Sequence, residues 1–254
     1  MSTEVLYGRN PVLEALRAGR RTCHQLMLAE NLEKDERLTQ ITSFAKEMAI
    51  PVEQVPRHRF DEIPGNAQGV MLRVSAYPYL DLEDMLGRAE ARGEPSWFLL
   101  LDVLKDPQNV ATLLRTAEAV GVHGVILPLR RSASITPSVV SASSGASEHL
   151  LVGRSNLAQA IDWLKEQEIW ITGLDGGPEA RPIGKADLKG PMGLVVGSEG
   201  EGMRRLVRES CDFLVRLPMR GRIESLNAAA AGAVALYAIL AARGYPEPAG
   251  LAQG

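Results

Sequence analysis

Cysteine is almost missing from this chain. In 254 residues it occurs only at Cys23 and Cys211, far apart and without CxxC spacing, which argues against a disulfide framework. There are four histidines and they form no cluster, so a structural zinc site is not expected either. Two scattered cysteines fit a reducing compartment, and the opening MSTEVLYGRN lacks the apolar core of a signal peptide. Long hydrophobic runs are missing as well. The longest, Ala228 to Ala242, is alanine-rich, interrupted by Gly232 and too short to span a bilayer. The expectation is a cytoplasmic protein with no membrane association and no metal.

Aromatic residues make up 5% of the chain, which leaves few platforms on which RNA bases could stack. No charge of one sign prevails: 28 Lys and Arg against 31 Asp and Glu give a formal net charge of -3. That balance argues against a protein that coats nucleic acid non-specifically. Local basic groups remain, at Arg17, Arg20 and Arg21, at Arg57, His58 and Arg59, at Arg204, Arg205 and Arg208, and at Arg216, Arg220 and Arg222. Each by itself reads more readily as a solvated face than as an RNA contact.

What is present is an ordinary globular composition, 45% hydrophobic and 23% charged. Residues 1–75 read as a small α/β unit. Asn10-Pro11 looks like an N-cap with proline at the first helical position, and Gly19 ends that helix. QLMLA at 25–29 and GVMLRV at 69–74 read as strands, and Glu33 to Met48 has helical periodicity with Leu38, Ile41, Phe44, Ala45 and Met48 on one side. Residues 76–96, with Pro78, Pro95 and a short charged helix at Leu82 to Arg92, read as a linker. From 97 to 246 strands and helices alternate, beginning with the apolar run WFLLLDV, and 247–254 reads as a loose tail. Such alternation predicts an α/β fold with a mostly parallel sheet covered on both faces, in which ligands bind beyond the carboxyl ends of the strands.

Three stretches follow such strand ends. Asp106-Pro107-Gln-Asn109 makes a turn in which Asn109 would cap the helix carrying Arg115. Gly197-Ser-Glu199-Gly-Glu-Gly202 is a glycine-rich connection between strand and helix whose spacing fits neither a dinucleotide fingerprint nor a Walker loop. Leu217-Pro-Met219 leads to Ser225-Leu226-Asn227 at the start of an alanine-rich helix, where capping is again the plain explanation. Each stretch taken alone has a structural explanation. Polar residues at three strand ends of one sheet are harder to explain by structure alone.

The combination Asp106-Pro-x-Asn109 with Arg115-Thr-Ala, then Gly197-Ser-Glu199-Gly-x-Gly202, then Pro218-Met with Ser225-Leu-Asn227, resembles the SpoU/TrmH family of RNA ribose 2′-O-methyltransferases. Tyr7-Gly8 with PVLEAL from Pro11, and Gln68-Gly69, resemble the small substrate-binding domain of members that methylate ribosomal RNA. The resemblance implies a C-terminal α/β-knot methyltransferase domain with a deep trefoil knot and an N-terminal L30e-like domain. It implies a homodimer with S-adenosyl-L-methionine as cofactor and RNA as substrate. The substrate nearest in likeness is a guanosine in the peptidyl-transferase region of 23S ribosomal RNA or its large-subunit precursor. The catalytic set it implies is Asn109, Arg115, Glu199, Ser225 and Asn227. Gly173, Gly197, Glu199, Leu217, Met219 and Leu226 would hold the cofactor, and Arg9, Arg115 and Arg204 would contact RNA. This chain departs from the family at Ala111, where glycine is usual, at Ala67, where histidine is common before Gln-Gly, and after Asn227, where three alanines replace Val-Ser-Val. Two other readings remain: the same chemistry on transfer RNA, and a non-catalytic RNA-binding or ribosome-assembly protein. A dinucleotide-dependent oxidoreductase fits the alternation but lacks the phosphate loop.

Overall fold

The computed structural model describes residues 2–61, 63, 67–130, 133–223 and 225–245; the expected tail at 247–254 lies outside them. In chain order the elements are β1 (Thr3–Tyr7), α1 (Arg9–Ala18), β2 (Cys23–Ala29), α2 (Glu36–Glu47), β3 (Val52–Val55), α3 (His58–Asp61), β4 (Val70–Ser75), α4 (Leu82–Arg92), β5 (Trp97–Leu101), α5 (Pro107–Ala119) and β6 (Gly124–Pro128). There follow α6 (Pro137–Ala142), β7 (Val152–Ser155), α7 (Leu157–Glu166), β8 (Trp170–Leu174), β9 (Arg181–Pro182), β10 (Met192–Val196), α8 (Arg205–Ser210), β11 (Phe213–Arg216) and α9 (Ala228–Ala242). These form two compact units, one of Met1–Pro78 with Ser134–His149 and one of Tyr79–Ala133 with Leu150–Gly254.

The first unit is built on a four-stranded sheet in the order β1-β4-β2-β3, with β4 antiparallel to both neighbours and β2 parallel to β3. Helix α1 starts at Arg9 with Gly8 as its N-cap, so Asn10 lies inside the helix and does not cap it. Pro11 still sits in the first turn, where a missing N–H costs nothing. Gly19 closes the helix in the left-handed conformation, φ 61, its N–H on the Ala15 carbonyl. Asp35 caps α2 by accepting from the Leu38 amide at 2.7 Å. Leu38, Ile41 and Ala45 are buried as their spacing predicts, whereas Met48 is exposed because the helix has already ended at Glu47.

The stretch Ser134–His149 joins this unit through a buried ion pair. Arg21 Nε and Nη2 both donate to the Glu148 carboxylate at 2.8 Å, Arg21 Nη1 reaches Glu4, and the Arg21 and Glu148 side chains are almost fully enclosed. Tyr77 donates its hydroxyl to the Ser147 carbonyl at 2.7 Å, and burial pushes its pKa up. An enclosed charge without its partner is costly, so Arg21 and Glu148 hold one another in place.

The second unit is a seven-stranded sheet in the order β7-β6-β5-β10-β8-β11-β9, parallel at every pairing. Strands β5 and β10 lie at its centre and are buried throughout, as expected when helices cover both faces. One face is packed by Phe98, Leu100, Ile126, Ile161, Leu164, Ile171 and Val195. Where the sequence suggests a linker over 76–96, α4 packs onto this cluster through Met85, which is fully buried. On α9, a Cβ at Gly232 would meet Leu113 of α5 at 2.5 Å and Val196 of β10 at 3.2 Å, so helix and sheet approach more closely there than a larger residue permits. The far end of α9 is anchored by Arg243, which donates to the carbonyls of Pro95 and Gly190 and lies 4.8 Å from the Trp97 ring centre. Burial pulls its pKa down to about 10. Among the described residues no helix is long and apolar enough to cross a membrane.

Candidate active site

Four neighbouring strands, β5, β10, β8 and β11, run in the same direction and end at the same edge of the sheet. Their continuations are Asp102, Gly197, Asp175 and Leu217. A cleft of about 640 Å3 opens there, bounded by the segments that follow β10, β8 and β11 and by the start of α9. Its volume lies in the range typical of small-molecule sites. Gly197, Glu199, Leu217, Met219, Ser225, Leu226 and Asn227, all expected from the sequence, line it. Gly173 does not. It lies within β8, where a Cβ would press on Met203 and Leu214 at 2.7 and 2.8 Å, and the wall at that strand end is made by Leu174, Asp175 and Gly176.

The glycine-rich segment after β10 folds into a miniature hairpin. Ser198 and Gly202 exchange two backbone hydrogen bonds of 3.0 Å, and Gly200 and Gly202 take left-handed φ values of 79 and 70. At its base Gly197 lies so close to the Gly202 and Met203 backbone that a Cβ would overlap it. The hairpin presents Glu199 at its tip.

Glu199 meets two amides from the other segments. Asn109 donates from Nδ2 to Glu199 Oε1 at 3.0 Å. Asn227 donates from Nδ2 to Asn109 Oδ1 at 3.0 Å and also to Glu199 Oε1. The sequence reading has Asn109 capping α5, but Asp106 does that, accepting from the Gln108 amide at 3.0 Å. Asn109 is thereby inside the helix with its side chain available to Glu199. Asn227 does cap its helix, its Oδ1 accepting from the Ala230 amide at 3.1 Å. That bond decides which end of the amide is oxygen, and so aims Nδ2 at Glu199. Cap and site residue are the same side chain.

Arg115 is exposed on α5, six residues beyond Asn109, which is about 9 Å further along the helix axis. Ser225 is exposed on the cleft wall. Arg204 directs its guanidinium and backbone N–H to Asp102, a fully buried carboxylate that the sequence reading assigned no role. The signal for it was legible, an acidic residue directly after the apolar run WFLLL. Asp175 was also missed. It accepts from the Gly177 amide at 2.7 Å and from Arg208 Nε at 3.0 Å, and Glu179 and Asp175 together raise the Arg208 pKa. In the first unit Arg9 pairs with Asp35 and donates to the Glu33 carbonyl at 3.1 Å. It lines a separate cavity of about 850 Å3 with Arg37, Arg57, Phe60, Ala67 and Gln68. Among the described residues no group of three or more His, Cys, Asp or Glu is placed to hold a metal ion.

The fold is shared with known proteins. Residues 96–237 match the SpoU rRNA methylase family, and residues 5–80 match the RNA 2′-O ribose methyltransferase substrate-binding domain. A TrmH-family tRNA/rRNA methyltransferase of Bacillus subtilis, YacO, is 41% identical over 238 residues, 93% of this chain and 94% of that one. A tRNA/rRNA methyltransferase of Mycolicibacterium vanbaalenii is 41% identical over 93% of this chain and 76% of its own length. Among solved structures, the SpoU methyltransferase AviRb from Streptomyces viridochromogenes, in complex with the cofactor AdoMet, superposes with a TM-score of 0.80 at 24% identity, covering 96% of this chain and 92% of that one. The family match takes in every segment that builds the cleft, and the chain belongs to the SpoU family of RNA methyltransferases.

Proposed function

We propose that the chain transfers a methyl group from S-adenosyl-L-methionine to a ribose 2′-hydroxyl of RNA, and that its target is a guanosine of 23S ribosomal RNA or a large-subunit precursor. The observation that carries the reading is the joining of Asn109, Glu199 and Asn227, from three separate strand ends, beside a cleft of cofactor size. The cleft suits this cofactor chemically. Leu217, Met219 and Leu226 offer apolar contact to a flat base, glycine backbone allows close approach, and the carboxylates of Glu199, Glu201 and Asp175 favour a cation. S-adenosylmethionine supplies an electrophilic methyl on a sulfonium.

The chain's residues then have two tasks, holding the ribose oxygen in line and easing loss of its proton. An alcohol keeps its proton at neutral pH. Arginine stays charged, so Arg115 serves by stabilising the developing alkoxide and the neighbouring phosphate, and not as a base. Asn109 and Asn227, oriented by Glu199, hold the ribose.

Support for a ribosomal target comes from the front unit, which matches a substrate-binding domain over residues 5–80 and resembles a ribosomal-protein module. Its cavity, with Arg9, Arg37 and Arg57, is where RNA would first be held. We further read the protein as a cytoplasmic homodimer. Val234 and Tyr237, three residues apart on α9, are 51% and 49% exposed, large apolar side chains on one helix face that a second copy would cover. The test is methyl transfer to unmodified 23S ribosomal RNA with mapping of the product, together with the mass of the protein in solution. Transfer to transfer RNA alone would keep the chemistry and replace the target.

A further inference from the structure

The buried Asp102 carboxylate is used by no step above, yet it lies at the root of two of the three segments that meet in the triangle of Asn109, Glu199 and Asn227. It follows β5 directly, its backbone N–H bonded to the Val196 carbonyl at 2.8 Å, and it opens the turn that leads to Asn109. Its side chain is fully enclosed. Oδ2 accepts from the Arg204 backbone amide at 2.7 Å, Oδ1 accepts from Arg204 Nε at 2.7 Å, and Nη2 forms an ion pair with Oδ1 at 2.7 Å. Arg204 is the residue by which the glycine hairpin hands over to α8. The hairpin is therefore closed at its entry by the Ser198–Gly202 bonds and at its exit by Asp102.

A buried carboxylate demands compensation for lost solvation, and here Arg204 supplies it from both backbone and side chain. A backbone bond and a charge-assisted bond to the two carboxylate oxygens fix direction as well as distance. Glu199 is held at its carboxylate by Asn109 and Asn227, but the segment that carries it is short, glycine-rich and exposed. Its place against Asn109 depends on how firmly the hairpin's two ends are held.

We propose that Asp102 and Arg204 form a positioning pair: the ion pair between the enclosed Asp102 carboxylate and the half-exposed Arg204 locks the 198–203 hairpin onto the end of β5, and so sets both the affinity for S-adenosylmethionine and the registration of Glu199 on Asn109. The proposal rests on the cofactor reading of the cleft. It assigns the Arg204 guanidinium to Asp102 and not to RNA.

The test compares Arg204→Met, which keeps the stem and removes the charge, with Arg204→Lys, which keeps the charge and loses the fork. Amide hydrogen exchange is followed without cofactor, and S-adenosylmethionine binding is measured by calorimetry. In Arg204→Met, exchange over 198–204 is expected to quicken with that of β5 and α9 unchanged, and Kd to rise about tenfold or more. Arg204→Lys should fall between it and the wild type, and the KM for RNA should not move in either. A looser hairpin with unchanged Kd overturns the proposal, as does unchanged exchange. A higher KM for RNA with unchanged Kd would return Arg204 to the RNA surface. If the wild type binds no S-adenosylmethionine, the cofactor reading falls and takes the affinity claim with it, while exchange still reports whether Arg204 holds the hairpin.

Discussion

Asn109 and Glu199, ninety positions apart in the chain, are joined by a hydrogen bond of 3.0 Å from amide to carboxylate. Both groups lie near solvent, so the bond adds little to stability, on the order of 1 kcal/mol at most. Its value is geometric. Asn109→Ala is expected to leave the melting temperature nearly unchanged and to lower kcat by about a hundredfold, the size of effect seen when one fixed polar contact to a developing charge is lost. Thermal denaturation and single-turnover methylation on the same preparation check it. A large fall in stability with activity intact would show the bond to be structural.

Much of this site was legible before the structure. The parallel sheet followed from alternation, and the three segments were recognisable because each sits directly after a buried strand. The roles of single side chains were harder to read. Asn109 and Asn227 both read as helix caps, because local sequence cannot distinguish an amide that caps from one that reaches across the sheet. Asp106 takes one of those caps, and Asn227 does both things at once. The attachment of Ser134–His149 to the first unit depends on Arg21 meeting Glu148 across 127 positions, a pairing no periodicity announces. Gly173 entered the cofactor set through the family resemblance; it does not line the cleft, and side-chain packing within the sheet accounts for a glycine there.

Arg115 gives a prediction of a different kind. It is exposed on a helix, where alanine is a good replacement, so Arg115→Ala should change stability by no more than about 1 kcal/mol. Methyl transfer should fall by about a hundredfold or more while S-adenosylmethionine binding is unchanged. Full activity in the variant would remove Arg115 from the mechanism.

Gly197→Ala should behave in the opposite way. Its Cβ would enter the backbone of Gly202 and Met203, which cannot yield as a side-chain tip could. The hairpin must shift, at a cost of about 1–3 kcal/mol. Cofactor affinity and stability should fall together, read by calorimetry and thermal unfolding. Wild-type affinity would show that the hairpin has room to adjust.

His123 sets a pH limit on folding. Its Nδ1 accepts from the Trp97 backbone amide at 3.0 Å, which requires a lone pair there and places the proton on Nε2, facing Glu94 at 3.0 Å. Burial lowers the His123 pKa below its usual 6.5, and outweighs the pull of Glu94 in the other direction. The unfolded chain thus binds the proton more tightly, so this contribution is fully present above pH 6.5 and is lost as pH falls below it. Replacing His123 with Asn should flatten the stability profile below pH 6.5 by up to about 1.4 kcal/mol per pH unit. Denaturant titrations between pH 5 and 7.5 check this, and an unchanged slope would assign the titration elsewhere.

The measurement that tests the central claim most directly is transfer of labelled methyl from S-adenosylmethionine to unmodified 23S ribosomal RNA and to transfer RNA, followed by mapping of 2′-O-methyl sites. The account predicts a single modified guanosine in the large-subunit RNA, lost in Arg115→Ala. Methylation on a base, or no transfer to either RNA by a protein that binds no S-adenosylmethionine, would contradict it.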